Sequence, residues 1–244
     1  MTNQSTVKKP GILFKIVVVL FFLGIAFFLF MIFYYTWQLR YGDAEKVTAQ
    51  FSEQFTKSID LSKIKLNSLE SIDQSKIIRS HNPKLGQPDS DVTIVAFIDF
   101  ECPFCKRSHP TFNKIIDQYT PGIQIVFKHL PLVSIHPNSL SAAHAAACAD
   151  EQGKFWPYYD LLFSGDLLDE STYIYYANSI SLDTNKFSNC LSSQTYAKDI
   201  KEDLDDAISL GVRGTPTYFL NGKKIEGVIT KELWDSLIFQ ALQQ

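Results

Sequence analysis

Two cysteines stand two residues apart in the segment Cys102-Pro103-Phe104-Cys105, which follows an apolar, strand-like run at 92–100 and begins a predicted helix. A thiol at a helix N-terminus faces unpaired backbone N–H groups and the positive end of the helix dipole, so its thiolate is favoured. In Cys-X-X-Cys motifs the thiol pKa can fall from about 8.5 to roughly 3.5–7.5. The spacing also brings the sulfurs within bonding reach. The segment therefore predicts a redox centre in which one sulfur attacks and the other resolves.

Two other interpretations of the motif have less support than redox chemistry. A zinc site would need a second close pair of ligands, and Cys148 and Cys190 are far apart in sequence. A permanent disulfide within the motif would close so small a ring that it removes little chain entropy. Redox chemistry is favoured over both.

A long apolar run near the N-terminus predicts where the protein resides. Residues 16–35 carry no charged and no strongly polar side chain, and the run is long enough to span a bilayer. Basic residues precede it and aromatic residues cluster at its far end, as at membrane interfaces; these are Lys8, Lys9 and Lys15, and Tyr34, Tyr35, Trp37 and Tyr41. We predict an uncleaved anchor with a cytoplasmic N-terminus, because a cleavable signal peptide would have a shorter apolar core followed by small residues.

The charge changes sign after the predicted anchor. The first 40 residues hold four of the 23 basic side chains and no acidic one, so 19 basic and 26 acidic side chains follow. An acidic outer domain gives no support for nucleic-acid binding. The four cysteines are an even number, and a compartment outside the cytoplasm permits two disulfide pairs.

The remaining pattern predicts an α/β domain. After the apolar run the elements follow in the order strand, helix, strand, helical insertion, hairpin, helix; the insertion covers about 136–210 and the hairpin turns at Asn221-Gly222. Helices that alternate around a central sheet form an α/β sandwich.

The predicted organisation has four parts. Val47, Phe51, Phe55 and Ile59 are spaced by four and predict a stalk helix, which would pack on its own domain, self-associate or contact a membrane partner. The predicted boundaries are 1–11 for a cytoplasmic N-terminus, 12–37 for a transmembrane anchor, 38–82 for a partly helical stalk or linker, and 83–244 for the redox domain.

Four segments carry a family resemblance. CPFCKRSHP resembles the CxxC helix of thioredoxin-fold proteins, including the proline five residues after the second cysteine, and GVRGTPTYFLNGKKIEG resembles their cis-proline segment. With FKHLPL, AAHAAACADEQGKFWPYYDLLF and the helical insertion, residues 83–242 resemble the DsbA family, in particular its membrane-anchored, BdbD-like extracytoplasmic thiol-disulfide oxidoreductases. The resemblance implies a thioredoxin-like fold with an inserted helical subdomain.

The resemblance also implies roles for single residues. Cys102 would be the exposed nucleophilic sulfur and Cys105 the more buried resolving one. Pro216 would be in cis and face this pair, and the Thr215 backbone would pair with an extended substrate segment. The alternative for Pro216 is a trans proline that enters an edge strand.

The chain departs from the family pattern beneath the cysteines. Many relatives carry a glutamate six residues before the first cysteine, where this chain has Ala96. The nearest carboxylates are Asp99, which strand alternation puts on the opposite face from Ala96, and Glu101. Either carboxylate could raise the pKa of Cys102 by like-charge repulsion, and neither is predicted to be catalytic.

Cys148 and Cys190 lie in the predicted insertion, where other members of this family also have cysteines. We predict a structural disulfide that joins two insertion helices and contributes about 2–4 kcal/mol. A second redox pair and two free buried thiols are the alternatives. A Cα separation above about 7 Å would exclude the bond.

Together these features predict an extracytoplasmic thiol-disulfide oxidoreductase that oxidises exported proteins through a Cys102–Cys105 disulfide. The expected partners are exported cysteine-containing proteins and an integral-membrane, quinone-linked protein that reoxidises the pair; no cofactor, metal or nucleic acid is expected. A reductase or isomerase of the same fold is the first alternative. A Cu(I)-binding or non-catalytic adaptor is the second, although the two methionines, Met1 and Met31, lie outside the outer domain.

Overall fold

The computed structural model describes residues 12–41, 65–69 and 71–244. The chain divides into two compact units, 1–61 and 62–244, which are described separately. The segment 1–11 and the predicted stalk stripe from Val47 to Ile59 lie outside the described residues.

The first unit contains the helix α1 (Ile12–Tyr41). Its described side chains cover 20–34, and nearly all of them are exposed. Within the residues that the structure describes, no helix is long and apolar enough to cross a membrane.

A mixed sheet forms the centre of the second unit. Its described strands are β1 (Lys84–Gly86), β2 (Thr93–Ile98), β3 (Gln124–His129), β4 (Thr217–Leu220) and β5 (Lys223–Glu226). They lie in the order β1-β3-β2-β4-β5, with β2 and β3 parallel and the other neighbours antiparallel. Every residue of β2, β3 and β4 is buried. A strand covered on both faces needs no polar alternation, which accounts for the nearly continuous apolar sequence of β2.

Helices cover both faces of this sheet. The helices of the second unit are α2 (Pro103–Tyr119), α3 (Ser139–Asp150), α4 (Phe155–Ser164), α5 (Glu170–Ser179), α6 (Thr184–Ser193), α7 (Ala197–Ser209) and α8 (Lys231–Ala241). On one face Phe112 of α2 contacts Tyr218 of β4 and Trp234 of α8 through their rings. On the other face Ala207 of α7 joins an apolar cluster with Phe97 of β2. The predicted α/β architecture is confirmed, and α3 to α7 form the predicted helical insertion.

A disulfide joins two helices of the insertion. Cys148 of α3 is bonded to Cys190 of α6, with their Cα atoms 5.9 Å apart. Both residues are buried, and Phe187 on the same helix as Cys190 is fully buried as well. The side chain of Asp183 caps α6 by accepting two backbone N–H bonds. The bond therefore ties a short helix to the longer α3.

A buried ionic network attaches α7 to the sheet. The Lys128 side chain on β3 has no exposed surface, and its Nζ lies 2.8 Å from carboxylate oxygens of both Asp203 and Asp206. Arg79 donates two bonds to Asp206, and His81 Nε2 lies 3.3 Å from Asp203 Oδ1. Buried charges are tolerated when they are paired and hydrogen-bonded in this way. The network also connects the segment before β1 to the domain.

Residues 71–74 pack against the β4–β5 hairpin. Ser71 forms a bridge with Lys223, and the Ile72 N–H donates to the Gly222 carbonyl oxygen at 3.0 Å. Gly222 has a φ of +78°, and a Cβ at this position would collide with the Ile72 carbonyl oxygen. Asn221 also has a positive φ, as the predicted two-residue hairpin turn requires.

Gly222→Ala should destabilise the domain more than Gly153→Ala does. Both glycines have a positive φ, +78° and +70°, a conformation that costs an alanine about 1–2 kcal/mol. Only at Gly222 does the added Cβ meet another backbone segment, since nothing lies within 4 Å of it at Gly153. Overpacking of this kind should add about 1–3 kcal/mol. Urea unfolding measures both losses, and equal losses would contradict the close packing of Ile72 on the hairpin.

Candidate active site

Both cysteines of the motif lie at the start of α2. Cys102 is the residue before the first turn, with an extended backbone, and Pro103 takes the first helical position. Proline suits that position because no intrahelical N–H donor is lost there. The Cys102 carbonyl oxygen accepts the first helical bond, from the Lys106 N–H at 3.0 Å. Both Cys102 and Cys105 are free thiols, so the structure describes the reduced pair.

The Cys102 thiol is acidic in this setting. A hydrogen bond from the Cys105 thiol is the largest cause that lowers the pKa of Cys102 to about 6. The Thr215 side chain and the backbone N–H groups of Cys105 and Phe104 also lower it, against the effect of burial. These N–H groups belong to the first turn of a helix, where they have no intrahelical partner. The thiolate therefore predominates above about pH 6.

The second thiol is shifted in the opposite direction. Burial raises the pKa of Cys105 well above its ordinary value, and the neighbouring Cys102 sulfur raises it further. At neutral pH the pair thus consists of a Cys102 thiolate and a protonated Cys105. Because the thiolate is the nucleophile, Cys102 is the sulfur that attacks.

Cys102 is less accessible than the resemblance implied. Only 3% of its surface is exposed, against 2% for Cys105. The reason is contact with the loop before β4, since the Cys102 Sγ lies 3.4 Å from the Thr215 carbonyl oxygen. The expectation of an exposed Cys102 is wrong for the reduced protein.

The loop before β4 contains a cis peptide bond between Thr215 and Pro216. Antiparallel pairing of β2 with β4 ends with Phe97 opposite Thr217. The chain that leaves β2 toward Cys102 and the chain that enters β4 from Pro216 therefore meet at one end of the sheet. This register brings Thr215 and Pro216 to the cysteines, although 113 residues separate Thr215 from Cys102.

The hydroxyl of Thr215 is an available hydrogen-bond donor beside Cys102 and Cys105. Its Oγ1 is buried and has no partner of ordinary hydrogen-bond geometry among the described residues. The same side chain lowers the pKa of both Cys102 and Cys105, as a donor to a thiolate does.

The carboxylates near the motif accept hydrogen bonds from groups other than the two thiols. Ala96 is fully buried within β2, so its position supplies no carboxylate. Asp99 accepts hydrogen bonds from two backbone N–H groups and from His136, and Glu101 accepts two bonds from Asn138. That neither carboxylate is catalytic stays a prediction.

Sequence analysis missed several polar groups at the site. Ser108 Oγ and Tyr218 Oη form a buried 2.8 Å hydrogen bond. Burial raises the pKa of Tyr218, and the charge of Cys105 adds to the rise. His136 reaches Asp99 from 37 residues away. No spacing signal could connect residues so distant in sequence.

One group of possible metal ligands occurs in the described residues. It consists of His81, Asp199 and Glu202, whose candidate ligand atoms lie within 4.8 Å of one another. It includes neither Cys102 nor Cys105.

Residues 79–240 match the model of a protein family described as Thioredoxin. The chain belongs to the thioredoxin family. The match covers the sheet, the insertion and most of α8, and it includes both cysteines and the cis-proline loop.

Solved structures show the same fold. A thioredoxin-like oxidoreductase from Silicibacter pomeroyi is 24% identical with a TM-score of 0.64, over 71% of this chain and 99% of that one. Oxidised BdbD from Bacillus subtilis is 22% identical with a TM-score of 0.63, over 72% of this chain and 98% of that one. The predicted DsbA-like thioredoxin fold is confirmed. The paired cysteines at the start of α2 are consistent with a redox enzyme of this fold.

Curated relatives match only in part. The Na(+)/H(+) antiporter NhaA 3 of Salinispora tropica is 36% identical over 157 residues, which are 64% of this chain and 24% of the antiporter. The chain spans about a quarter of the length of the curated relatives it matches. The transport activity named for those whole proteins is therefore not carried over.

Cys105→Ala should raise the pKa of Cys102 above its value of about 6, because it removes the largest cause of the lowering. Cys105→Ser keeps a hydroxyl donor at the same position and should retain most of the lowering. The thiolate absorbance at 240 nm, followed against pH, measures the pKa in each variant. Identical titrations of the two variants would contradict the hydrogen-bonding role of Cys105.

Proposed function

We propose that the protein is an extracytoplasmic thiol-disulfide oxidoreductase that oxidises cysteines of exported proteins. The observation that carries the proposal is the stabilised Cys102 thiolate beside the protonated Cys105. A stabilised thiolate favours the reduced pair over its disulfide, so the disulfide readily accepts electrons from other thiols.

The oxidation we propose takes two thiol-disulfide exchanges. A substrate thiolate attacks Cys102 of the oxidised pair, a substrate–Cys102 bond forms, and Cys105 leaves as a thiolate that takes up a proton. A second substrate thiolate then attacks the substrate sulfur of this mixed disulfide. The substrate disulfide forms, Cys102 leaves as a thiolate, and two electrons have moved to the pair. The low pKa of Cys102 makes it a good leaving group in this second step.

The surface near Cys102 suits an unfolded segment. Phe104, two residues after Cys102, is 50% exposed. Val133 and Ile135, in the loop that Asp99 holds, are also exposed. Unfolded chains offer apolar side chains and free backbone groups, so we propose that they lie across these residues and pair with the Thr215 backbone.

We further propose that the redox domain is held outside the membrane by the N-terminal apolar segment. The apolar run 16–35 of the sequence, with lysines before it and aromatic residues after it, supports an anchor with a cytoplasmic N-terminus. The Cys148–Cys190 bond supports an oxidising compartment. The proposed division is 1–11 inside, 12–37 in the membrane, and a stalk or linker at 38–82, whose last residues, 71–82, pack on the domain at 83–244.

The reduced pair must pass its two electrons on. We propose that an integral-membrane, quinone-linked protein accepts them, since an anchored domain stays close to such a partner. Purified full-length protein in detergent should then be reoxidised by membranes that contain quinone.

The reduction potential of the full-length protein decides the direction of electron flow. We expect a value near about −120 mV, typical of an oxidant, whereas one near about −270 mV would make the protein a reductant. The oxidised protein should form disulfides in a reduced, unfolded substrate, and Cys102→Ser should abolish this activity. Cys105→Ser cannot form the internal disulfide, so when it is given a substrate that carries a disulfide, Cys102 should attack that bond, release one substrate thiolate and remain trapped as a mixed disulfide. Stoichiometric Cu(I) binding with no oxidation of thiols would overturn the proposal.

A further inference from the structure

The Asp99 side chain is buried between the redox motif and the loop before α3. None of its side-chain surface is exposed, and a buried carboxylate is costly unless its oxygens are hydrogen-bonded. Oδ1 accepts from the Glu101 N–H at 2.8 Å, and Oδ2 accepts from the Leu132 N–H at 3.0 Å. His136 Nδ1 lies 2.7 Å from Oδ2. We assign the imidazole N–H to Nδ1 in this contact, with the carboxylate oxygen as its acceptor.

The main chain of Asp99 reaches both cysteines. Its carbonyl oxygen accepts a hydrogen bond from the Cys102 N–H at 3.2 Å. Its own N–H forms a hydrogen bond that affects the second sulfur. Burial raises the pKa of Cys105, and the hydrogen bond from the Asp99 N–H opposes that rise. A shift of this one residue would therefore disturb the surroundings of both sulfurs.

His136 is held firmly enough to fix Asp99. The His136 N–H donates to the Leu132 carbonyl oxygen at 2.9 Å. Its carbonyl oxygen accepts bonds from the backbone N–H and the hydroxyl of Ser139, at the first residue of α3. Its side chain is 13% exposed, and the next residue is the conformationally restricted Pro137. A donor locked by its own hydrogen bonds places its partner more accurately than a mobile side chain does.

The bond also has an electrostatic effect. A carboxylate three residues before Cys102 disfavours a second negative charge at the thiolate. An imidazole N–H that donates to Oδ2 stabilises charge on the carboxylate. It thereby reduces the repulsion between that carboxylate and a thiolate at Cys102. Geometry and charge thus act in the same direction.

We propose that His136 is a positioning residue for the redox pair, which holds Asp99 and thereby stabilises the reduced cysteines relative to their disulfide. The inference rests on the proposed thiol-disulfide exchange at Cys102 and Cys105, and it assigns a role in that chemistry to a residue that touches neither sulfur.

The test compares His136→Ala with His136→Asn in the full-length protein. Alanine removes the donor, whereas the asparagine amide nitrogen can occupy nearly the same place as Nδ1. In His136→Ala the equilibrium constant for reduction by glutathione should fall about tenfold, which is about 30 mV for a two-electron couple. The pKa of Cys102, followed at 240 nm, should rise. His136→Asn should restore most of both properties.

His81→Ala is the matched control. It also removes a histidine from a buried carboxylate, Asp203, whose side chain is fully buried as well. Urea unfolding should show lost stability in both alanine variants, but only His136→Ala should change the potential and the Cys102 titration. If His136→Ala does not fold, His136→Gln takes its place in the test. The glutamine amide lies one methylene further from the main chain than the asparagine amide, so the potential and the Cys102 titration of His136→Gln should differ from those of His136→Asn.

The outcomes separate this inference from the proposed function. A wild-type protein that does not exchange disulfides with glutathione would overturn the proposed function. An active wild type with unchanged potential and titration in folded His136→Ala would overturn only the role of His136. Equal shifts in His81→Ala, or failure of His136→Asn to restore more than His136→Gln, would also overturn it, since a general loss of stability would then explain the effect.

Discussion

The pairing of β2 with β4 is the constraint on which the rest of the site depends. These strands come from opposite ends of the fold, and their register places the last residue pair, Phe97 and Thr217, beside the turn that carries Cys102. A slip of one residue would turn every side chain of β4 to the opposite face and move the cis-proline loop away from the sulfurs. The insertion can be long because it lies between β3 and β4 in the chain and does not alter the register of β2 with β4.

Two sulfurs in one motif have opposite acidities because their surroundings differ over a few ångströms. Cys102 lies at the open end of a helix, where free N–H groups and a neighbouring thiol stabilise charge. Cys105 lies one turn further into the protein, where burial opposes charge. No carboxylate is needed to create this difference, which explains how Ala96 can occupy the position where many relatives have one.

Local signals in the sequence were enough to predict the central elements. The helix after the cysteines, the hairpin at Asn221-Gly222 and the boundaries of the insertion all follow from turn residues and apolar spacing, and they agree with the structure within a few residues. β1 was missed because it is three residues long and lies in a turn-rich segment. α6 lies within the predicted insertion, although its serines and asparagines are weak helix formers. Its stability comes from the Asp183 cap and its covalent link to α3.

Long-range polar contacts could not be predicted in the same way. The bond between His136 and Asp99 and the burial of Lys128 depend on tertiary neighbours. A lysine in a strand and a histidine before a proline have no periodic signature that distinguishes them from surface residues. The burial of Cys102 was misjudged for the same reason, since Thr215 is distant in sequence.

The Cys148–Cys190 bond has a consequence for how this protein comes into being. Forming it removes two electrons from a newly made chain, and some oxidant must accept them. The chain thus carries in its own insertion the kind of bond that it is proposed to make in others. Each new copy therefore needs an oxidant for this bond before it can act in the role proposed for it.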